Sequence, residues 1–240
     1  MLISMNNYMN INNEYFEISI PSELKDYGEM VLNYSTEKIK EYLDFFKENS
    51  YGQKIKAFFF TNRADFIDRI ATGSADPSTL PPEWATGCFY GGEVQILLNK
   101  EIKYDKFFTL AHETFHLLFG KFIYQKNHYD RILWLDESLA GNFDGTTEKL
   151  MKENKFSNII KKLIGMNHLP TMSQLSFDKG TIKTDQYNGY ELFKVVGRYL
   201  IETKTNEELL FYIQQEQEVL NDGDTILEIS LKYFKEKYDL

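Results

Sequence analysis

Apolar residues follow two different spacings along the chain, which separate a mixed first half from a helical second half. Short runs rich in aromatic and β-branched residues predict four strands, at residues 15–20, 54–60, 86–90 and 93–99. Gly91 and Gly92, between the last two runs, are typical of a tight hairpin turn. Beyond residue 144, apolar side chains recur every three or four positions, which predicts helices. The pattern indicates an α+β chain.

The helical spacing also predicts where the helices lie, at residues 22–49, 62–70, 106–119, 146–164 and 188–203, then 205–217 and from 225 onward. A break is expected in the first near Ser35, and Thr61 or Asn62 is expected to cap the second. Thr205 and Glu208 have the spacing of a capping box. Polar residues 1–13 and the Gly/Pro-containing residues 72–84 are expected to be irregular.

Charge and composition exclude some classes of partner. The net charge is −9 and no segment holds a dominant Lys/Arg cluster, which argues against a nucleic-acid partner bound through phosphate contacts. No stretch approaches the roughly 20 apolar residues of a membrane helix, so no membrane partner is expected. A single cysteine, Cys88, excludes an intrachain disulfide and a cysteine-built metal site. With no basic start or signal-like apolar run, these features favour the cytoplasm.

The strongest chemical signal is the motif His112-Glu113-Thr114-Phe115-His116 in the predicted helix 106–119. Histidines four residues apart lie on one face of a helix, so both imidazoles can reach one metal ion. Glu113 stands beside the first histidine, where a carboxylate can act as general base on a metal-activated water. Apolar residues at helical spacing are expected to bury another face, namely Phe107, Leu110, Ala111, Thr114, Leu117 and Leu118. The alternative is an ordinary amphipathic helix.

A catalytic zinc ion needs a third protein ligand beside the two histidines. A third histidine after a glycine is excluded, because Phe119 and Phe122 occupy the positions where Gly and His would stand. His128 is available in the following loop. Glu137, 21 positions after His116 in Trp134-Leu135-Asp136-Glu137-Ser138-Leu139-Ala140, is the best candidate.

The two motifs together resemble the gluzincin metallopeptidases, in particular the peptidase MA-like group related to aminopeptidase N, whose second motif is roughly Trp-Leu-x-Glu-Gly-x-Ala. Ser138 stands where that pattern has glycine. The order of predicted elements and the segment 190–200 extend the resemblance over residues 15 to about 215. It implies a single zincin-like (thermolysin-like) α+β domain over residues 1–240. Its sheet-bearing N-terminal lobe would span about 15–121, and its helical lobe about 122–240.

The resemblance also implies an activity and its residues. It implies one Zn²⁺ held by His112, His116 and Glu137, with Glu113 as the base, in a hydrolase that cuts peptide or protein substrates. It implies a tyrosine that binds the oxyanion, for which Tyr190 aligns and Tyr187 is the alternative. The Gly-x-Met-Glu-Asn stretch of the aminopeptidases is missing, and residues 87–92 stand in its place. Endopeptidase and exopeptidase activities are therefore both open, as is the oligomeric state.

Two further classes of function are consistent with the motifs. One is a metal-binding or regulatory protein that keeps this fold without turnover. The other is a structural zinc module, which would need a fourth protein ligand such as His128 or Asp136. The hairpin next to the metal helix is either purely structural or a sheet edge to which an extended peptide adds as one more strand.

Overall fold

The computed structural model describes residues 7–73, 81, 85–90, 92–98, 107–177 and 182–240. The strands are β1 (Tyr8–Asn12), β2 (Phe16–Pro21), β3 (Ile55–Phe60), β4 (Gly87–Tyr90) and β5 (Glu93–Leu97). The longer helices are α1 (Lys25–Phe45), α2 (Arg63–Gly73), α3 (Thr109–Phe119), α4 (Leu133–Phe143), α6 (Lys155–Ile164), α8 (Gly189–Thr203) and α10 (Glu216–Lys237). Shorter ones are α5 (Thr146–Lys152), α7 (Met172–Phe177) and α9 (Asn206–Ile213). The α+β prediction is confirmed.

The chain divides into two compact units, Met1–Phe115 and His116–Leu240, and the boundary falls inside α3. The first unit contains all five described strands, in the order β1-β2-β3-β5-β4. The central strands β2, β3 and β5 run parallel, whereas β1 and β4 are antiparallel to their neighbours. Ile18, Ala57 and Val94 pair across the three central strands and are fully buried. They place the core of this unit at the middle of the sheet.

Aromatic side chains join the helices of the first unit to this core. The Tyr27 ring of α1 meets Phe59 of β3 edge to face, with centroids 6.5 Å apart. Tyr42, near the C-terminal end of the same helix, meets Phe115 of α3 in the same way, with centroids 5.2 Å apart. Edge-to-face rings gain a favourable electrostatic interaction beyond the area they bury. The aromatic residues of this unit therefore fix α1 and the first part of α3 in place.

Two expectations for the N-terminal region are wrong. Residues 8–12 form β1 instead of an irregular lead-in, because they pair with β2 and Ile11 is buried opposite Ile18. The break expected near Ser35 is not found, since α1 is continuous there. Ser35 is buried, and the Thr36 hydroxyl donates to the carbonyl of Leu32 at 2.6 Å within the helix. Most of the loop predicted at 72–84 lies outside the described residues.

The second unit is built from helices, as predicted, but three boundaries differ. Residues 146–164 form two helices, because Asn154 adopts a left-handed backbone with φ of 55°. The helix opened by Thr205 ends at Ile213, and α10 begins at Glu216, well before Thr225.

The predicted helix caps are confirmed. The Asn62 carboxamide accepts from the Asp65 N–H at 2.9 Å, and both bonds of the Thr205–Glu208 capping box are present.

Helices α4 and α8 make a close crossing in the second unit. A Cβ atom built on Gly197 of α8 would lie 2.0 Å from the carbonyl oxygen of Ser138 and 2.5 Å from Nδ2 of Asn142, both on α4. The Asn142 carboxamide donates to the carbonyls of Ser138 and Lys194, which links the two helices at this point. Only glycine allows this backbone approach.

Among the described residues, no helix is long and apolar enough to cross a membrane.

We expect Gly197→Ala to destabilise the protein by about 3 kcal/mol or more, because the added methyl group meets backbone that cannot move aside. A loss of this size lowers the melting temperature of a chain this long by roughly 6–12 °C. The control is Gly120→Ala, because nothing lies within 4 Å of a Cβ at Gly120. Thermal unfolding followed by circular dichroism measures both, and equal melting temperatures for the two variants would contradict the close crossing.

Candidate metal centre

Helix α3 separates its apolar residues from its chemically active ones. Leu110, Ala111, Phe115, Leu118 and Phe119 have no exposed surface. By contrast, the side chains of the motif, His112, Glu113 and His116, are partly accessible. The predicted buried face is confirmed for Leu110, Ala111, Thr114 and Leu118, whereas Phe107 and Leu117 are only half-buried. Because of the helical periodicity, the two histidines lie on the accessible side of α3, and the opposite side is buried.

Helix α4 supplies a third potential ligand. Residues Leu133–Gly141 are all buried, and they include the two adjacent carboxylates Asp136 and Glu137. His112, His116 and Glu137 each offer one ligand atom, and these three atoms lie within 4.8 Å of one another. Oε2 of Glu137 is 3.6 Å from Nε2 of His116. Ligand atoms of a tetrahedral zinc ion lie about 3.3–3.5 Å apart, so this group could bind a metal ion.

Asp136 has a different role from Glu137. Its Oδ1 atom is 2.7 Å from Nδ1 of His116, and only 1% of its side chain is exposed. A carboxylate in this place holds the proton on Nδ1 and leaves the Nε2 lone pair to a metal. Asp136 therefore orients the His116 ring instead of joining the group as a fourth ligand. This pairing is typical of metal-binding histidines.

The carboxylates around His116 favour a positive charge at its ring, from a proton or from a metal ion. Burial alone lowers the pKa of His116, but the Asp136 and Glu137 carboxylates outweigh that effect and raise it to about 9. Burial by itself raises the pKa of Asp136, yet His116 and the guanidinium of Arg131 together hold it below its usual value. A metal binds the neutral imidazole, so a metal ion entering this group takes the place of a proton.

Glu113 lies against the sheet of the first unit. A Cβ atom built on Gly87 of β4 would be 2.7 Å from Oε1 of Glu113 and equally close to the Thr109 methyl group. The carboxylate thus occupies space that any side chain at position 87 would fill. On the neighbouring residue, burial and then the Glu113 charge raise the pKa of the Cys88 thiol to about 12. This thiol stays protonated, as expected of a packing residue.

The remaining candidate residues of the site are His128 and the tyrosines at 187 and 190. His128 is exposed with a left-handed backbone, φ 57°, and it is not in the metal group found among the described residues. His168 is an exposed loop residue. Tyr190 lies in the first turn of α8 with its ring 5.9 Å from that of Phe193, and Tyr187 lies in the preceding turn. Their role at an oxyanion stays a prediction.

Two residues of the site were not identified from the sequence. Gly87 was assigned only to a hairpin, and its contact with Glu113 depends on how β4 packs. Arg131 binds both Asp136 and Glu137. Its sequence signal is slight: a basic residue one turn ahead of two adjacent carboxylates in an apolar segment.

A comparison of the chain with models of known protein families found no match. A comparison with curated proteins found none either.

We expect the purified protein to bind one zinc ion, and His116→Ala to lose it, because this change removes Nε2 and the partner of Asp136 together. His168→Ala is the matched control, since it removes an exposed histidine outside the group. Elemental analysis after dialysis against trace zinc measures the metal content of all three proteins. Equal zinc in wild type and His116→Ala would contradict the site.

Proposed function

We propose that the protein is a zinc-dependent metallopeptidase of the gluzincin type. The observation that carries the proposal is the group of His112, His116 and Glu137, with Glu113 next to the first histidine on the same helix. The three residues would hold one zinc ion, which supplies Lewis acidity and lowers the pKa of water when bound. The zincin-like fold is part of the proposal, and so is peptide hydrolysis.

Glu113 is the general base in this proposal. Its carboxylate is partly accessible and lies beside Gly87 on a strand that carries no side chain at that point. It accepts the proton of the attacking water, and can return it to the amine that leaves as the C–N bond breaks. Tyr190, or Tyr187 in its place, donates a hydrogen bond to the oxyanion.

The register of β4 supports an extended peptide as substrate. The carbonyl of Thr86 accepts from the N–H of Leu97 at 2.8 Å, which makes 86 and 97 a hydrogen-bonded pair. In an antiparallel ladder such pairs alternate, so the N–H and C=O groups of Gly87 and Phe89 point away from β5. Strand β4 ends the strand order of the described sheet. A peptide can pair with Gly87 and Phe89, next to Glu113.

A catalytic site is favoured over a structural zinc module by the number of ligands. Only three of the residues that the structure describes form the metal group, so a tetrahedral ion would keep a position for water or substrate. Asp136, which could have been a fourth ligand, is engaged with the other nitrogen of His116. A binding or regulatory protein without turnover is the second candidate, and activity measurements separate it from a peptidase.

We expect Glu113→Gln to keep the fold and the zinc but to lower peptidase activity about 10²–10⁴-fold, because an amide cannot accept the proton of water. Tyr190→Phe should lose less, roughly 10–10³-fold, since only one oxyanion donor is removed. The assay is mass spectrometry of a peptide library with zinc-loaded protein, with and without a chelator. Wild-type turnover by Glu113→Gln would refute the mechanism, and no cleavage by wild type would favour the binding protein.

We expect Gly87→Ala to lower kcat/KM by about 10–10²-fold, because its methyl group displaces the Glu113 carboxylate by somewhat less than about 1 Å. Zinc content should change little, and the melting temperature should fall less than in Gly197→Ala, since the atoms that must move, in Glu113 and Thr109, belong to side chains and not to backbone. Gly120→Ala again serves as the control, with open space around its Cβ. Unchanged activity in Gly87→Ala would show that Glu113 does not depend on this contact.

A further inference from the structure

Arg131 lies just ahead of α4 and binds two carboxylates of that helix. Its Nε atom donates to Oδ2 of Asp136, and its Nη2 atom donates to Oε1 of Glu137 at 3.1 Å. One guanidinium thus binds two adjacent residues. Glu137 is a candidate metal ligand, and Asp136 orients another candidate ligand, His116. The Arg131 side chain is 42% exposed, whereas Asp136 and Glu137 are 1% and 10% exposed. The arginine covers the carboxylates from the solvent side.

The bond to Glu137 distinguishes its two oxygen atoms. Oε1 accepts from Arg131, whereas Oε2 is the atom 3.6 Å from Nε2 of His116. A carboxylate with both oxygens available can bind a metal through one or both of them. With Oε1 held by a cation, Glu137 would offer a metal Oε2 alone, which would leave a coordination position for water.

The bond to Asp136 acts on His116. Oδ2 of Asp136 accepts from Arg131, and Oδ1 lies 2.7 Å from Nδ1 of the imidazole. The carboxylate is therefore held at both oxygens, which fixes the plane in which the ring can sit. The guanidinium fork matches this geometry because its donors are rigid and planar, whereas the single ammonium of lysine cannot hold both carboxylates in fixed directions.

We propose that Arg131 is a positioning residue of the metal centre, which makes Glu137 a one-oxygen ligand through Oε2 and orients His116 through Asp136. The inference rests on the metal binding that the proposed function requires, but not on peptide hydrolysis. It also explains how two adjacent carboxylates can be buried at one metal site. The positive charge of Arg131 offsets the charge of Asp136, the carboxylate that would not bind the metal.

The test uses zinc affinity and the visible spectrum of the cobalt-substituted protein, in Arg131→Lys and Arg131→Gln. Lysine keeps the charge and loses the fork, and glutamine loses both. The control pair is Arg198→Lys and Arg198→Gln, since Arg198 binds Glu202 at 2.7 Å between α8 residues. Zinc affinity is measured by competition with a chromophoric chelator, and circular dichroism of each metal-free variant verifies its fold.

We expect the zinc dissociation constant to rise about 10–100-fold in Arg131→Gln and about tenfold in Arg131→Lys, the usual range for loss of a partner behind a ligand. The cobalt bands should weaken in both, because a second oxygen of Glu137 raises the coordination number. Arg198 variants should match wild type. Should Arg131→Gln fail to fold, Arg131→Lys decides through the same two measurements.

Two results would overturn the proposal while leaving the metal site intact. One is wild-type affinity and spectrum in both Arg131 variants. The other is full recovery in Arg131→Lys, which would mean that charge alone matters and the fork does not. Wild-type protein that binds no zinc would be a different failure, since it refutes the proposed function along with this inference.

Discussion

The burial of two adjacent carboxylates in α4 is the constraint on which the site depends. Asp136 and Glu137 lie in the buried stretch Leu133–Gly141, whose other residues are apolar except for Ser138. Removing a carboxylate from water costs on the order of several kcal/mol per ion. Arg131 and His116 offset that cost with hydrogen bonds and opposite charge. Replacing any one of these four residues removes a hydrogen-bond or charge partner from at least one of the others. The chemistry of the centre and the stability of α4 are therefore coupled.

The helix crossing beside these carboxylates restricts them further. Gly197 allows the backbone of α8 to approach Ser138, the residue after Glu137. The Glu137 side chain projects from a segment that is packed against another helix. A metal ligand on such a segment has little freedom to adapt, and this favours a preorganised site over one that assembles around the metal. The gluzincin motif that the sequence resembles has glycine at the position of Ser138. The approach of Gly197 involves only the backbone carbonyl of Ser138, so it does not depend on the serine side chain.

Local patterns pointed to the three residues whose ligand atoms lie within 4.8 Å of one another, although the approach of Glu137 to the histidines is a contact between two helices. The spacing of His112 and His116 places both on one helix face whatever surrounds it, and Glu137 followed from a motif of adjacent residues. Gly87 could not be predicted in the same way, because its contact with Glu113 requires β4 to pack on α3. Arg131 could not either, since a basic residue before a helix usually faces solvent.

Most errors in the fold also come from contacts distant in sequence. Strand β1 follows an asparagine-rich lead-in and itself contains Asn10 and Asn12, and its pairing with β2 makes it a strand. Asn154 divides a predicted helix through a backbone conformation that asparagine tolerates. Helix α10 begins at Glu216, before the predicted start, and includes Gly223, where an added Cβ would lie 2.9 Å from Cβ of Met172 and 3.1 Å from Nε1 of Trp134. For β1 and α10, contacts distant in sequence outweigh the local preference, whereas Asn154 acts through its own backbone.

Charge balance connects the metal to the arginine. Two carboxylates and one guanidinium leave a single net negative charge when His116 is neutral, and protonation of His116, with its pKa of about 9, removes it. The metal-free group is therefore close to neutral at physiological pH, at the expense of the lone pair that a metal would use. In the proposed function a divalent ion would displace that proton, and these four groups with the ion would carry one net positive charge before the Glu113 carboxylate is counted. Without Arg131 the same exchange would end one unit of charge lower, so the arginine proposed to position the ligands would also make the centre more electrophilic.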